Sequence, residues 1–333
     1  GGFALASAKA SQLFMNQLGR QMAAARGAAA GTTRVALAEA CATACDANAH
    51  SPSWSAWFNG VGALGRASGD GNTHTSTYSI GGMAGGADYR IDPQLLVGLG
   101  VGYTKTSLWL DGLTGSGASD GLQVALYGSF SAGAAYVDGL AGYAYSSNML
   151  QRPIAIAGLQ PRTATGSPQT NQLFGQLEGG WRFELDKATA TSLTPFARWQ
   201  AWTGMQAAFS EWGANSINLN VAQQNTTSVR SVLGADLSGT ADLGRVGRLA
   251  LQLRLGWAHE YADVAYPVTA SFAGAPFAPF TVTGATLPRD SAIVGLLAQA
   301  GLGDGASLYL RYDGEVGSGF NAHALTLGVR MSW

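Results

Sequence analysis

The last nine residues alternate strictly between apolar and polar or small side chains, and this pattern limits what the chain can fold into. Successive side chains of a β-strand point to opposite faces, so a period of two predicts a strand with two different environments. The apolar face consists of Leu325, Leu327, Val329, Met331 and Trp333. The other face consists of Thr326, Gly328, Arg330 and Ser332. Such a strand suits a transmembrane barrel, with lipid on its apolar face, or the edge of a soluble β-sandwich.

The same alternation recurs along most of the chain after residue 53. Residues 249–257 are the clearest case, because leucines and a tryptophan at odd positions alternate there with Gln252, Arg254 and Gly256. We predict about 12 strands, at residues 54–68, 77–91, 94–110, 119–132, 135–149, 171–185, 191–209, 226–243, 245–261, 285–302, 306–317 and 324–333.

Short and long connections alternate between these strands. Short turns, as at Asp92-Pro93 and Gly133, alternate with long polar or proline-containing loops at 151–170, 211–225 and 262–284. Outer-membrane barrels show this alternation, and most of the predicted strands, at roughly 12 to 17 residues, are long enough to cross a membrane. Strands of this length are unusual in a sandwich. We therefore predict an all-β transmembrane barrel, closed, with about 12 antiparallel strands.

Composition excludes several other classes of protein. The net charge is −1, so no basic field points to nucleic acid as a partner. No run of apolar residues approaches 18, which argues against a membrane protein built from helices. The 47 glycines and a charged fraction of only 12% fit strands with an apolar outside and a small, polar inside.

Charged residues collect on the polar faces of the predicted strands. In a dry core each would carry a large desolvation cost, whereas in a hydrated lumen they can pair across strands. We predict that ten of them line the lumen: Glu178, Arg182, Arg198, Arg230, Asp236, Arg254, Arg311, Asp313, Glu315 and Arg330. Their expected role is packing of the barrel wall, and we predict neither a catalytic site nor a site for a metal or cofactor.

The first 47 residues differ from the rest of the chain. Residues 7–26 are rich in helix-forming residues and contain no proline, and Phe14, Leu18 and Met22 recur at a spacing of four. This pattern predicts a helix with a narrow apolar stripe, and residues 33–44 predict a second, weaker one. From these residues alone, the region is interpreted as a small helical subdomain or a linker packed on the protein surface.

Two further features of this region leave alternatives open. Cys41 and Cys45 lack nearby histidines and make a poor zinc site; they form either a small-loop disulfide in an oxidising compartment or two free thiols. Gly1-Gly2-Phe3 lacks the features of a signal peptide, which predicts either a processed chain or one that is not secreted.

The order of several stretches resembles one known family. An N-terminal helix, about 12 amphipathic strands and a terminal aromatic residue are similar to the translocator domain of bacterial autotransporters, the proteins of type V secretion. The stretches that carry the resemblance cover nearly the whole chain and lie at residues 85–90 (GGADYR), 95–103 (LLVGLGVGY), 308–314 (LYLRYDG) and 324–333.

The resemblance implies both an architecture and a function. Residues 48–333 would form a barrel in the bacterial outer membrane, and residues 1–47 would be a helical linker that traverses its pore. The domain would act as a monomer, without enzymatic activity or cofactor, and would export its own N-terminal passenger to the cell surface. Its partners would be outer-membrane lipid, that passenger and the barrel-assembly machinery. The machinery would recognise the closing strand through Leu325, Leu327, Val329, Met331 and Trp333.

Two other functions compete with this interpretation. A general porin would share the barrel but would not need the N-terminal helix. A hydrolase embedded in the barrel would need histidine with nucleophile and acidic partners, and His50, His74, His259 and His323 show no triad spacing. Some relatives cut their own linker inside the barrel. Asn16 is a candidate for that reaction here, with Asp236 and Glu178 as weaker ones.

Overall fold

The structure is a computed structural model that describes residues 2–27, 54–69, 73–111, 115–158, 160–242, 248–284, 286–303 and 305–333. It begins with helix α1, Gly2–Ala25. The predicted second helix, Cys41 and Cys45 lie outside the described residues. None of the described helices combines the length and the apolar character needed to span a membrane.

Eighteen strands follow within the described residues. In chain order they are β1 (Trp54–Ala67), β2 (Ser76–Arg90), β3 (Leu95–Leu110), β4 (Ser116–Ala132), β5 (Ala135–Ile154), β6 (Arg162–Gly166), β7 (Gln169–Trp181), β8 (Phe183–Asp186), β9 (Thr191–Gln206), β10 (Phe209–Ser210), β11 (Leu219–Val221), β12 (Gln224–Asp242), β13 (Arg248–Glu260), β14 (Pro267–Phe272), β15 (Ala275–Thr283), β16 (Asp290–Gly303), β17 (Ala306–Gly317) and β18 (Phe320–Ser332).

Twelve long strands form one closed antiparallel ring. The order around the ring is β1, β2, β3, β4, β5, β7, β9, β12, β13, β16, β17 and β18. The ring closes where β18 pairs with β1, from Ser55 opposite Ser332 to Ala67 opposite Phe320. Each predicted strand overlaps one strand of this ring, so the predicted fold class is confirmed.

The long connections contain more structure than the sequence prediction assigned to them. β5 continues to Ile154 and pairs with β6, while β10, β11, β14 and β15 form a separate four-stranded sheet. The predicted loops at 151–170, 211–225 and 262–284 do connect strands of the barrel, but they contain β-strands that the prediction did not assign to them. Proline and glycine mark the turns of these segments correctly, but the aromatic and β-branched residues between the turns favour strands.

The two ends of the barrel differ. At one end, here called the short-turn end, the connections are as short as residues 91–94 and 133–134. At the other, the long-loop end, the small sheet is tied to the barrel by Arg152, whose guanidinium lies 2.5 Å from the fully buried Glu211 carboxylate. The same carboxylate accepts the Leu219 N–H at 2.8 Å. The long connections therefore form an anchored platform on top of the barrel.

The outside of the barrel is apolar and carries aromatic residues near both ends. Leu325, Leu327 and Met331 of β18 are each more than half exposed, which is the orientation expected of side chains that face lipid. At the short-turn end Trp54 packs on Tyr89, with ring centroids 4.8 Å apart. Towards the long-loop end the aromatic pairs include Trp199 stacked on Tyr261 at 5.3 Å. These pairs are typical of the interfacial girdles of membrane barrels.

Inward-facing aromatic rings explain part of the high glycine content. Tyr127 lies over Gly98 on the neighbouring strand, and a Cβ atom at Gly98 would overlap the ring. In this position the Tyr127 hydroxyl donates to Asp88 at 2.9 Å and accepts from the Trp57 indole at 2.8 Å. Glycine is needed at residue 98 because the ring occupies the space of its missing side chain.

We predict that Gly98→Val destabilises the barrel by about 1–3 kcal/mol, because the valine side chain overpacks the Tyr127 ring. The matched control is Gly62→Val, since Gly62 faces outward and a Cβ there meets nothing within 4 Å. Unfolding in urea, followed by tryptophan fluorescence of the refolded protein, measures both variants. Equal destabilisation by the two valines would contradict the steric explanation.

Candidate functional site: the lumen and its helix

Helix α1 lies inside the barrel and packs on one side of its wall, against β3, β4, β5 and β9. Its apolar stripe faces this side: Phe14, Leu18 and Met22 are at most 2% exposed. Phe14 meets Phe174 of the wall edge to face, with ring centroids 6.0 Å apart. Gly100 of β3 makes this close approach possible, because a Cβ atom there would collide with Leu18.

The helix runs through the whole lumen with a defined direction. Twenty-four residues of α-helix span about 36 Å. Phe3 contacts Gly117 at the long-loop end of β4, whereas Arg26 pairs with Asp138, close to the 133–134 turn at the short-turn end. The N-terminus of α1 therefore points to the long-loop end and its C-terminus to the short-turn end.

Near the long-loop end, Lys9 of the helix joins a cluster around Glu315. The Lys9 ammonium lies 3.0 Å from the Glu315 carboxylate, and Arg230 donates to the same carboxylate at 3.1 Å. Gln12 and Ser291 complete its hydrogen bonds at 3.2 and 3.1 Å. One carboxylate of β17 is thus shared between the helix and strands β12 and β16.

Halfway along the helix, Asn16 contacts the largest charged cluster of the lumen. Its Oδ1 accepts from Arg198 at 3.0 Å, and Arg198 pairs with Glu178 at 2.6 Å. Arg254 bridges Glu178 at 3.3 Å and Asp236 at 2.6 Å. All four charged side chains are less than 10% exposed, so each depends on its partners for the hydrogen bonds that water would otherwise supply.

One turn further on, the helix binds the opposite wall through Arg20 and Gln21. The Arg20 guanidinium lies 3.8 Å from the ring centroid of Tyr309 and donates to its hydroxyl at 3.1 Å. Gln21 accepts from Arg330 of the closing strand at 3.1 Å, and Arg330 also pairs with Asp88 at 2.6 Å. The helix is therefore linked to β17 and β18, on the side of the lumen where its backbone does not approach the wall closely.

Arg26 fixes the end of the helix. Its guanidinium pairs with Asp138, donates to Ser129 at 3.1 Å and lies 3.8 Å from the Tyr136 ring centroid. Arg90 donates to the carbonyl of Ala25, one of the helix C-terminal oxygens that have no partner within the helix.

The ten predicted lumen residues all lie on the inside of the barrel or at its mouth. Seven belong to the clusters around Glu315, Glu178 and Gln21. Arg311 and Asp313 pair with each other on β17, 2.5 Å apart. Arg182 follows β7 and lines a cavity of about 120 Å³ at the short-turn end, together with Arg26 and Tyr136.

Sequence reasoning missed Lys9, Asp88 and Asp138 as lumen residues. Asp88 and Asp138 are at most 2% exposed, and each pairs with an arginine. Their strands contain few other charges, so no cluster drew attention to them. The alternation along each strand would have identified both, because inward-facing residues recur at every second position and Asp88 and Asp138 occupy such positions.

The five predicted residues of the closing strand lie on its outer face. Leu325, Leu327, Met331 and Trp333 are more than half exposed, and Val329 is half-buried. The backbones of Trp333 and Trp54 exchange two hydrogen bonds, of 3.0 and 3.2 Å. The final residue of the chain thus completes the pairing between the first and last strands.

His50 lies outside the described residues, and His259 and His323 are separate from the candidates for self-cleavage. His259 lies 2.8 Å from Asp290, and His323 lies 2.7 Å from the Tyr312 hydroxyl, both on the outer face of the barrel. Asn16, Glu178 and Asp236 belong to one cluster inside the lumen. Self-cleavage at Asn16 stays a prediction.

A closed ring of membrane-length strands, apolar outside and polar inside, defines the class of transmembrane β-barrel proteins. The sequence matches the family model of the autotransporter beta-domain over residues 56–313. The chain belongs to this family, and it is a translocator domain of the bacterial outer membrane. The predicted family and location are thereby confirmed. In such barrels the short turns face the periplasm and the long loops face the cell surface.

Solved translocator domains share the fold. The translocator domain of the autotransporter NalP from Neisseria meningitidis superposes with a TM-score of 0.67 at 16% identity, covering 90% of this chain and 95% of that one. The beta domain of the Bordetella autotransporter BrkA gives a TM-score of 0.61 at 21% identity, covering 84% and 100%.

A longer protein is also similar in sequence. An extracellular serine protease of Serratia marcescens is 29% identical over 305 residues, which is 90% of this chain and 28% of that protein. A second protein of the same name and organism is 28% identical and covers 82% of this chain and 26% of its own length. The chain thus spans less than a third of either relative.

We predict that Glu178→Gln destabilises the barrel by about 3 kcal/mol, because two buried arginines lose their shared counter-charge. The control is Asp111→Asn, since the Arg66–Asp111 pair is more than half exposed and its loss should cost less than about 1 kcal/mol. Urea unfolding of the refolded proteins compares the two, and a loss no larger for Glu178→Gln than for the control would contradict this account of the cluster.

Proposed function

We propose that this domain exports its own passenger through the barrel and that α1 is the linker left in the pore after export. The observation that carries the proposal is the position of α1, which fills the lumen from end to end with its N-terminus at the cell-surface side. A polypeptide that preceded α1 would therefore lie outside the cell. Residues 1–47 would be the linker and residues 48–333 the barrel.

In this proposal the charged lumen holds the linker, and the barrel itself catalyses no reaction. The ten predicted residues, together with Lys9, Asp88 and Asp138, would position the helix by ion pairs and seal the pore around it. Any enzymatic activity, such as the protease activity in the name of the Serratia proteins, would belong to the passenger. The filled lumen also favours this role over that of a general porin, which needs an open channel.

We expect deletion of residues 1–47 to cause a large rise in single-channel conductance in a planar lipid bilayer, because the helix is the main obstruction of the lumen. The undeleted protein, refolded in the same way, is the control. Equal conductance of the two proteins would refute the plugged-pore proposal and favour a porin. Absence of conductance in both would mean that the emptied barrel is closed.

We further propose that the barrel-assembly machinery recognises the closing strand through its outer face. Leu325, Leu327, Val329, Met331 and Trp333 present an apolar row that ends at the periplasmic rim. The row stays exposed to lipid after β18 has paired with β1 and β17. A protein that acts within the membrane can therefore contact it. The closed ring leaves no strand edge in the described barrel wall, which supports assembly of the domain as a monomer.

We predict that Trp333→Ser slows assembly of the barrel in cells but not its spontaneous refolding into lipid vesicles, where no machinery is present. Trp54→Ser is the matched control, because Trp54 lies beside Trp333 at the same rim and is 49% exposed. Pulse-labelling followed by the shift of the folded barrel on gels measures both processes. If the two variants assembled at the same rate in cells, recognition through Trp333 would be excluded.

A further inference from the structure

The cavity at the short-turn end lies between the end of the helix and the barrel wall, and its lining is polar. Its volume is about 120 Å³. The charged residues that line it are Arg26, Arg182 and Asp236, and the uncharged side chains that can donate a hydrogen bond there include Thr194, Ser238 and Gln252. The short turns of such barrels face the periplasm, so a ligand of this cavity would come from that compartment.

Two of the three charges at the cavity are already paired. Asp236 accepts two hydrogen bonds from Arg254, at 2.7 and 2.6 Å, and Arg26 pairs with Asp138. Arg182 forms no ion pair with any described residue, and its buried Nε lacks a hydrogen-bond partner among them. A buried N–H group without an acceptor is costly. The described lining therefore carries one uncompensated positive charge, with a donor that needs an acceptor.

The backbone fixes Arg182 at the edge of the cavity. The ladder between β7 and β9 ends at Gly180, and the ladder between β8 and β9 begins at Phe183. Arg182 lies in the break between them, where its own N–H donates to the Ala134 carbonyl at 2.9 Å. Its side chain is in phase with the inward-facing Glu178. The guanidinium is thus presented to the lumen from a fixed point of the wall.

Neighbouring groups that could use this guanidinium are engaged elsewhere or turned to solvent. Glu184, the nearest carboxylate along the chain, is exposed and forms no ion pair with Arg182. At the end of α1, the carbonyls of Met22, Ala24 and Ala25 already accept hydrogen bonds from other residues. The free valence of Arg182 therefore remains available to a ligand.

We propose that this cavity binds one carboxylate group, the free C-terminus of a peptide in the periplasm. A guanidinium offers two parallel N–H donors that match the two oxygens of a carboxylate, and a single carboxylate would neutralise Arg182. A phosphate ester carries a charge of about −1.5 to −2 at neutral pH and would leave an excess of negative charge. Gly133 and Ala134, which also line the cavity, leave room for a small side chain on the last residue of the peptide.

The bound peptide end would contact both the helix segment and the wall. Ala23 and Arg26 contribute to the cavity from the helix segment, and Arg182 and Thr194 contribute from the wall. Occupation of the cavity would therefore add a connection between the end of the helix and strands β7 to β9.

Isothermal titration calorimetry of the refolded full chain in an uncharged detergent tests this proposal. The probe is the dipeptide N-acetyl-alanyl-alanine with a free carboxylate, and the same dipeptide with an amidated C-terminus is the control ligand. We expect saturable binding of the acid and none of the amide. Arg182→Gln should weaken binding of the acid by about tenfold or more, because the carboxylate loses its charged donor.

Lys187→Gln is the matched control variant, since it removes one positive charge from an exposed position at the same end and does not line the cavity. It should bind the acid as the unchanged protein does. An equal loss in both variants would reduce the effect to general electrostatic attraction and overturn the site. Tighter binding of inorganic phosphate than of the acid would overturn the assignment to a carboxylate.

A measurement on the unchanged protein covers the case in which Arg182→Gln fails to fold. The dipeptide acid with a photo-reactive group in its first residue should cross-link to residues that line the cavity, as mapped by mass spectrometry. Excess unlabelled acid should abolish this cross-linking, and the amide should not. Cross-linking confined to other parts of the barrel, equal competition by the amide, or absence of saturable binding would each refute the proposal.

Discussion

The whole structure depends on a rule that lipid imposes: each backbone N–H and C=O group within the membrane must find its partner inside the protein. The chain meets this rule by pairing its first strand with its last, so that Trp54 and Trp333 complete a ring without an edge. Closure forces the two faces of each strand into different surroundings. The apolar exterior and the charged interior are both consequences of that separation.

Closure also creates an interior that must be filled, and the chain fills it unevenly. On the side of β3, glycine at residue 100 lets Phe14 and Leu18 approach the wall closely. On the side of β17 and β18, long side chains such as Tyr309 and Arg330 reach across to the helix. Apolar packing therefore holds the helix against one wall, and ion pairs and hydrogen bonds connect it to the other.

Much of the barrel could be predicted from the sequence, because the period of two reports both the strand and its faces. The inward positions of Arg198, Arg254 and Arg330 follow from that parity alone. The ion pairs of the lumen do not follow from it, since Lys9 and Glu315, for example, lie 306 residues apart and meet only because the helix is seated inside the barrel. The place of α1 came from family resemblance, as its apolar stripe fits a surface equally well. The hairpin of β14 and β15 was missed, because prolines there obscure a strand pattern.

The helix carries Lys9 and Arg20, Arg26 follows it directly, and no acidic residue lies between Gly2 and Arg26. The lumen therefore holds a polycation, and Glu315 and Asp138 pair with two of its three charges. Without it, Asp138 would lose the arginine it pairs with, and Glu315 would keep only Arg230. Removing the helix would therefore leave one carboxylate near each end of the lumen with less counter-charge, so the linker sets the local charge of the pore as well as filling it.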